Sequence, residues 1–330
     1  MTDTTIETQD GAPMDASELQ GMIRALADNI EQVIVGKNEV IEFLAVGFLS
    51  GGHVLIEDVP GVGKTMIARS LARSVSGQYK RIQFTPDLLP SDVTGANVFN
   101  MKTEEFEFRE GPIFTNILLA DEINRGTPRT QSSLLECMEE GMATADGVSY
   151  ELPRPFFVMA TQNPVEQYGT YPLPEAQLDR FCMRLRLGYP SEEEENRIVE
   201  SRIVREPIEE LGAVMEPEDV LEIRRRMRRM HVEAGVRDYA VRICAGTRRH
   251  QQARLGASPR GSIWLVRIAQ GLAALSGRDY VIPQDVKRAA VSVLSHRVIV
   301  DPYAGSEDIS TDEIVREVVN EVAVPVVGTQ

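Results

Sequence analysis

Basic residues are scarce relative to acidic ones: 35 Lys+Arg stand against 50 Asp+Glu, a net charge of −15 over 330 residues. Sequence-independent binding to nucleic acid or to an anionic membrane needs a positive surface, so this balance argues against both and leaves room only for a local basic groove. Cysteine is nearly absent. Three residues, Cys137, Cys182 and Cys244, with no C-x-x-C pair, exclude a disulfide scaffold and read as small buried side chains in a reducing compartment. Long apolar runs are missing too. The longest, Val40–Leu49, is too short for a bilayer and contains Glu42. The acidic, polar start M-T-D-T-T-I-E-T-Q-D has neither the basic nor the apolar region of a secretory leader. The expectation is a cytoplasmic protein without membrane insertion.

What is present is ordinary for a globular protein: 42% hydrophobic and 26% charged residues, in a length that accommodates about two domains. Residues 1–16 are polar and read as a disordered tail. Ser17 is placed to cap a helix carrying Leu19, Met22, Ile23, Leu26 and Ile30. A second amphipathic helix through Val40, Ile41, Leu44 and Phe48 ends at Ser50-Gly51-Gly52. Strands and helices then alternate. His53–Glu57, Lys80–Phe84, Ile117–Ala120 and Phe156–Ala160 read as strands, with Thr65–Ser76 and Pro128–Glu139 as helices. This order predicts an α/β parallel sheet with right-handed crossovers. Two segments with a period of two interrupt it, within Val93–Phe114 and Thr144–Leu152, the second turning at Asp146-Gly147. Both are expected to be hairpins inserted on one side of the sheet.

After Pro190 only helical patterns are evident as far as Val300: Ser191 capping four glutamates, then Pro217–Ala234, Arg237–Ala253, Pro259–Ser276 and Pro283–His296. A further amphipathic segment covers roughly Thr311–Val322. The run Arg224–Arg229 falls on a helix whose apolar face is Ile223, Met227 and Met230, so it reads as a basic solvated or inter-subunit face.

Three strand ends carry the chemistry. Asp58-Val59-Pro60-Gly61-Val62-Gly63-Lys64-Thr65, followed by Met66, lies between an apolar strand and a helix, the setting of a phosphate-binding loop. Its backbone N–H groups face phosphate, aided by the positive end of the helix. Gly61 and Gly63 permit the close approach, Lys64 reaches the β- and γ-phosphates, and Thr65 offers its hydroxyl to Mg2+. The first position of that pattern is usually Gly, whereas this chain has Asp58. Ile117–Glu122 ends in two carboxylates, Asp121 to hold Mg2+ and Glu122 to polarise the attacking water. Phe157–Pro164 ends in Asn163, placed to orient that water or touch the γ-phosphate. The four histidines are too scattered for a metal site.

These residues resemble the MoxR family of AAA+ ATPases. The likeness runs through L-A-D-E-I-N-R (119–125), Gln131–Glu136, Met138-Glu139-Glu140, A-T-Q-N-P (160–164) and G-T-Y-P-L-P-E-A-Q-L-D-R-F (169–181), and covers roughly residues 20–300. Asp58 is frequent in that family; Gly126-Thr127 and Arg129 are small departures. The resemblance implies an α/β P-loop AAA+ core, a parallel sheet flanked by helices with two hairpin insertions, plus a small all-α lid domain. On this division 1–16 is the tail, 17–190 the core, 191–234 linker helices, 235–304 the lid and 305–330 a C-terminal segment. It also implies Arg180 as an arginine finger reaching a neighbouring subunit's ATP, with Arg184 and Arg186 as nearby competitors, Arg260 as a second phosphate sensor, and Val35-Gly36 beside the adenine. The implied activity is hydrolysis of ATP with Mg2+ in a homo-oligomeric ring, a hexamer, that remodels or matures partner complexes together with a von Willebrand factor A-type protein. The client is not named by any residue. A magnesium-chelatase-like ATPase subunit, a DNA-remodelling helicase-type motor and a nucleotide-gated scaffold without turnover remain as alternatives at this stage.

Overall fold

A computed structural model describes residues 15–164, 169–203, 205–303 and 309–325. Most of the tail expected at 1–16 lies outside them. In chain order, helices α1 (Ala16–Glu31) and α2 (Asn38–Leu49) precede β1 (Val54–Glu57), α3 (Lys64–Ser74) and β2 (Tyr79–Gln83). A short α4 (Pro90–Thr94) leads into the hairpin β3 (Gly95–Asn100) and β4 (Glu105–Glu110), then β5 (Ile117–Asp121) and α5 (Pro128–Glu140). The second hairpin, β6 (Met142–Ala145) and β7 (Val148–Glu151), precedes β8 (Phe157–Gln162), the single turn α6 (Glu175–Leu178) and β9 (Met183–Leu185).

The five strands β2, β5, β8, β1 and β9 form one sheet in that order, every pair parallel. Period-two burial explains how it packs. In β5, Ile117 and Leu119 face the core under α1, α2 and α3, while Leu118 and Ala120 face the core under α5; β8 splits in the same way at Phe157/Met159 and Val158/Ala160. Both faces are covered, which is why these strands read as unbroken apolar runs. The two hairpins pack together on the α5 side, where Phe108 and Tyr150 stack 3.9 Å apart.

The remaining helices are α7 (Glu192–Arg202), α8 (Pro207–Glu210), α9 (Pro217–Arg229), α10 (Ala234–Thr247), α11 (Pro259–Leu275), α12 (Pro283–Leu294) and α13 (Thr311–Glu321), with strands β10 (Ala253–Leu255) and β11 (Ile299–Val300) between them. Their starts follow local chemistry. Ser191 with Glu194, and Ser310 with Glu313, form reciprocal caps, and Ser258 with Pro259 opens α11.

Four expectations are corrected here. The first helix begins at Ala16 with Asp15, not Ser17, in the capping position. The helix expected over Pro217–Ala234 stops at Arg229, because the backbone of His231 pairs with Asp279 and Val281 instead. The helix expected to reach Ala253 stops at Thr247, whose hydroxyl accepts from Ala257 N–H, and Ala253–Leu255 joins Ile299–Val300 in a small antiparallel ribbon that helical periodicity missed. Finally, the basic run is not uniformly solvated: Arg224 turns inward and donates to the Phe48 carbonyl from Nε (3.2 Å) and Nη2 (2.9 Å).

All three cysteines are buried, and burial pushes the Cys137 and Cys182 thiols up to about 12. His53, at the head of β1, is a buried tie. Val158 N–H donates to its Nδ1 at 2.9 Å, which leaves the proton on Nε2, 3.0 Å from the Met138 carbonyl. Burial, with a further push from the Arg224 guanidinium, holds its pKa down to about 4. The unfolded chain takes up this proton near 6.5 and the folded chain only near 4, so protons favour unfolding in that window. Stability from this group is full above the upper value and is lost as pH falls toward the lower, by up to about 3 kcal/mol. Urea unfolding at about pH 7 and about pH 4.5 should therefore show a smaller acid loss for His53→Gln than for the parent chain. Equal losses in the two would contradict the tie.

Candidate active site

The loop between β1 and α3 is shaped by two left-handed glycines, Gly61 (φ 86°) and Gly63 (φ 95°). No atom lies within 4 Å of where a Cβ would sit on either, so it is the backbone angle that calls for glycine there. The turn ends at Lys64, the first residue of α3, which leaves the N–H groups of the first helical turn pointing out of the helix end. Lys64 Nζ donates to the Asp58 carbonyl at 2.9 Å.

A cleft of about 470 Å³ opens beside this loop. Val33, Ile34, Val35, Val62, Met66 and Ile198 give it an apolar lining, and Lys37, Lys64, Thr65, Arg81, Asp121, Glu122 and Arg202 a polar and charged one. Such a cleft suits a ligand with an apolar ring and a polyanionic tail. Among the sequence candidates, Val35, Pro60, Gly61, Val62, Gly63, Lys64, Thr65, Met66, Asp121 and Glu122 line it. Gly36 lines a neighbouring cleft with Val35 and Ile34.

Asp121 and Glu122 sit at the tip of β5, tied to one hydroxyl. Thr161 Oγ1 donates to Asp121 Oδ1 at 2.6 Å and accepts from Glu122 N–H at 2.8 Å. Asp121 Oδ2 takes Arg81 Nη2 at 2.6 Å and Nε at 3.1 Å. Glu122 adopts a left-handed backbone (φ 54°), uncommon for a residue with a side chain, and its Oε2 accepts from Gln83 Nε2 (2.7 Å) and Arg125 Nη1 (3.2 Å). Thr161, Arg81 and Gln83 were not singled out by the motifs. Their signal is registration: Gln83 pairs with Asp121 across β2 and β5, and β8 runs beside β5 with Ala160 against Ala120.

Several sequence candidates lie elsewhere. Asp58 does not line the cleft. Its Oδ1 accepts from Val59 N–H (2.9 Å) and its Oδ2 from Leu187 and Gly188 N–H (2.6 and 2.7 Å), so it ties the loop to the segment after β9. Val59 is likewise outside the lining. Asn163, buried just beyond β8, lines a different cleft with Asn124 and Thr170.

Arg180 and Arg260 are at the opposite end of the sheet. Val54 pairs with Met183 in parallel register and Cys182 N–H donates to the His53 carbonyl. Residues 180–182 thus flank the amino end of β1, whereas the glycine loop follows its carboxyl end. Arg180 Nε lies 3.2 Å from Glu139 Oε2, and Arg260 pairs with the other oxygen of the same carboxylate. Arg260, expected as a second phosphate sensor, therefore does not line the cleft of its own chain: α11 begins at the opposite end of the sheet. Arg184 and Arg186, the competitors of Arg180, are engaged with Glu57 and Asp312.

Residues 53–183 match the model of the ATPase family associated with various cellular activities, and residues 245–318 match the AAA lid domain. The chain is 51% identical over 309 residues to the uncharacterised protein YeaC of Bacillus subtilis, covering 94% of this chain and 97% of that one. It is 41% identical over 327 residues to chaperone MoxR1 of Mycobacterium tuberculosis, covering 96% and 86%. A crystal structure of a candidate ATPase from Cytophaga hutchinsonii superposes with a TM-score of 0.87 at 38% identity, covering 94% of this chain and 97% of that one.

The double role of the Thr161 hydroxyl is open to test. Thr161→Val keeps the shape but strands a main-chain N–H and a carboxylate oxygen, and should lower stability by about 1–3 kcal/mol. Thr161→Ser should recover most of it. Denaturant midpoints check both, and an unchanged midpoint in Thr161→Val would contradict the assignment.

Proposed function

Belonging to the MoxR family of AAA+ ATPases, the chain is an ATPase, and we propose that it spends ATP on chaperone-like remodelling or maturation of a partner protein complex, as one subunit of a hexameric ring. The observation that carries the nucleotide reading is the amphipathic cleft, which apolar side chains, a glycine loop at a helix start and two strand-end carboxylates line together. Adenine would lie against Val33–Val35 and Ile198, and the triphosphate along the N–H groups of 61–65.

Within that reading Lys64 leaves the Asp58 carbonyl to meet the β- and γ-phosphates. Thr65 Oγ1 and Asp121 would hold Mg2+, for which a hydroxyl and a carboxylate are fitting hard donors; the bound ion would offset phosphate charge. Arg81, now on Asp121, keeps that carboxylate fixed and neutralised and gives way on binding. Glu122 polarises the attacking water, an effect worth roughly 10²–10⁴-fold, and its contacts to Gln83 and Arg125 set where that carboxylate rests. Asn163 is proposed to sense the γ-phosphate from the tip of the next strand, which requires the cleft to close around nucleotide. Arg180 and Arg260, too far round the sheet to serve their own loop, are proposed to complete the site of the adjoining subunit; an arginine supplied in this way is worth roughly 10³–10⁵-fold in other phosphoryl-transfer systems.

Similarity to a protein named chaperone MoxR1 supports the remodelling role. A von Willebrand factor A-type partner and a cytoplasmic site of action belong to the same proposal. No helix among the described residues is long and apolar enough to cross a membrane.

Two substitutions separate binding from chemistry. Lys64→Ala should lose both ATP binding and turnover. Glu122→Gln, the same shape without the carboxylate, should bind ATP normally and hydrolyse it roughly 10²-fold or more slowly. Equilibrium binding of a fluorescent ATP analogue beside steady-state phosphate release checks both; near-normal release by Glu122→Gln would remove that residue from the mechanism.

A further inference from the structure

Arg297 follows α12 and is buried, its side chain 1% exposed. Its guanidinium reaches four oxygens of the turn between α6 and β9. Nε donates to Asp179 Oδ1 at 2.7 Å, and Nη2 to the Asp179 carbonyl at 3.1 Å and the Phe181 carbonyl at 2.6 Å. Nη1 donates to the Cys182 carbonyl at 3.3 Å and to the Val293 carbonyl of α12, and lies 2.8 Å from His296 Nε2. Residues 179, 181 and 182 are thus held from the helical side, and these contacts bracket residue 180.

A second contact reaches the same carboxylate. Ser258 Oγ donates to Asp179 Oδ2 at 2.8 Å while accepting from Arg260 N–H at 3.1 Å, so the start of α11 grips the turn as well. Arg180 itself makes none of these bonds. It extends from the clamped turn, 30% exposed, to the Glu139 carboxylate that it shares with Arg260.

We infer that Arg297 is a positioning residue for Arg180: it fixes the turn that carries Arg180 to the helices of residues 245–318, so that the arginine offered to a neighbouring subunit is set by the helical region of its own subunit. This rests on the proposed role of Arg180 in the adjoining site. The chemistry asks for arginine at 297. Its planar fork sends donors in several fixed directions, which a lysine ammonium on one flexible stem does not. The burial of His296, followed by the adjacent guanidinium, holds its pKa far below the ordinary value, so the imidazole beside Arg297 is neutral and adds no second charge to repel it.

The test uses the full chain and compares Arg180→Ala, Arg297→Gln and Asp179→Asn for binding of a fluorescent ATP analogue, steady-state hydrolysis, and hydrolysis after mixing with Lys64→Ala. Arg297→Gln should bind the analogue like the parent and lose roughly 10–100-fold in kcat with KM little changed, the penalty of a misplaced reacting group. Mixing with Lys64→Ala should return part of the activity, because the variant's intact phosphate loop then meets a correctly held Arg180 from the other subunit. Asp179→Asn should show the same pattern more weakly, and it carries the test should Arg297→Gln not fold. Parent-like kcat in both variants, or a loss that mixing does not repair, would overturn the inference, since the second outcome means that Arg297 supports its own subunit's site. Parent-like hydrolysis by Arg180→Ala would instead remove the role of Arg180, and the inference with it.

Discussion

The rest of the structure depends on every strand of the central sheet running in the same direction. With β2, β5, β8, β1 and β9 parallel, each crossover returns the chain to the same starting side, and all strand tips emerge together. The glycine loop, Asp121, Glu122 and Thr161 are neighbours for that reason, although about 100 residues separate the first from the last. The same constraint sends the turns that precede strands to the other side. Arg180, placed just before β9, is there, with Glu139 at the end of the helix that returns from β5. One chain therefore carries a glycine loop and two carboxylates at one end of its sheet and a pair of arginines at the other. That separation is the physical ground for assigning the arginines to a different copy.

Buried polar groups keep these ends in place. One threonine hydroxyl serves as donor to Asp121 and acceptor for Glu122. One carboxylate, Asp58, ties the loop to the chain beyond β9 through two main-chain N–H groups, while its other oxygen takes Val59 N–H within the loop. One guanidinium, Arg297, ties the arginine-bearing turn to the helices. In each case the polar atoms are removed from water and would be costly if left unpaired, so the geometry on either side of the sheet is tightly determined. Arg81 and Gln83, by contrast, are exposed, so their side chains can leave Asp121 and Glu122 for water, and these are the contacts we propose a bound nucleotide displaces.

What the sequence made legible was chiefly local. The glycine loop announces itself because its residues are contiguous and flanked by a strand and a helix. Asp121 and Glu122 were readable as the end of an apolar run, and both hairpins as period-two segments, one with an Asp-Gly turn. The roles of Asp58 and Thr161 were not, because they depend on partners fixed by strand register: Asp58 by Leu187 and Gly188, Thr161 by the tip of β5. Arg81 and Gln83 were hidden in the same way, as ordinary polar residues on an edge strand. Arg260 has the right local chemistry at the start of a helix, and only the packing of that helix places it away from its own chain's cleft. The small ribbon of β10 and β11 escaped because three residues paired with two leave no periodicity to read.

The central claim, that one subunit holds both halves of the machinery but cannot join them, is tested most directly by turnover per subunit as a function of protein concentration, with ATP binding followed in the same samples. Turnover per subunit should rise steeply through the range in which sedimentation reports assembly, and then level off, while the fraction of subunits binding ATP at saturating nucleotide stays flat. Turnover per subunit that holds constant down to concentrations at which only monomer sediments would contradict the claim, because each chain would then be catalytically complete.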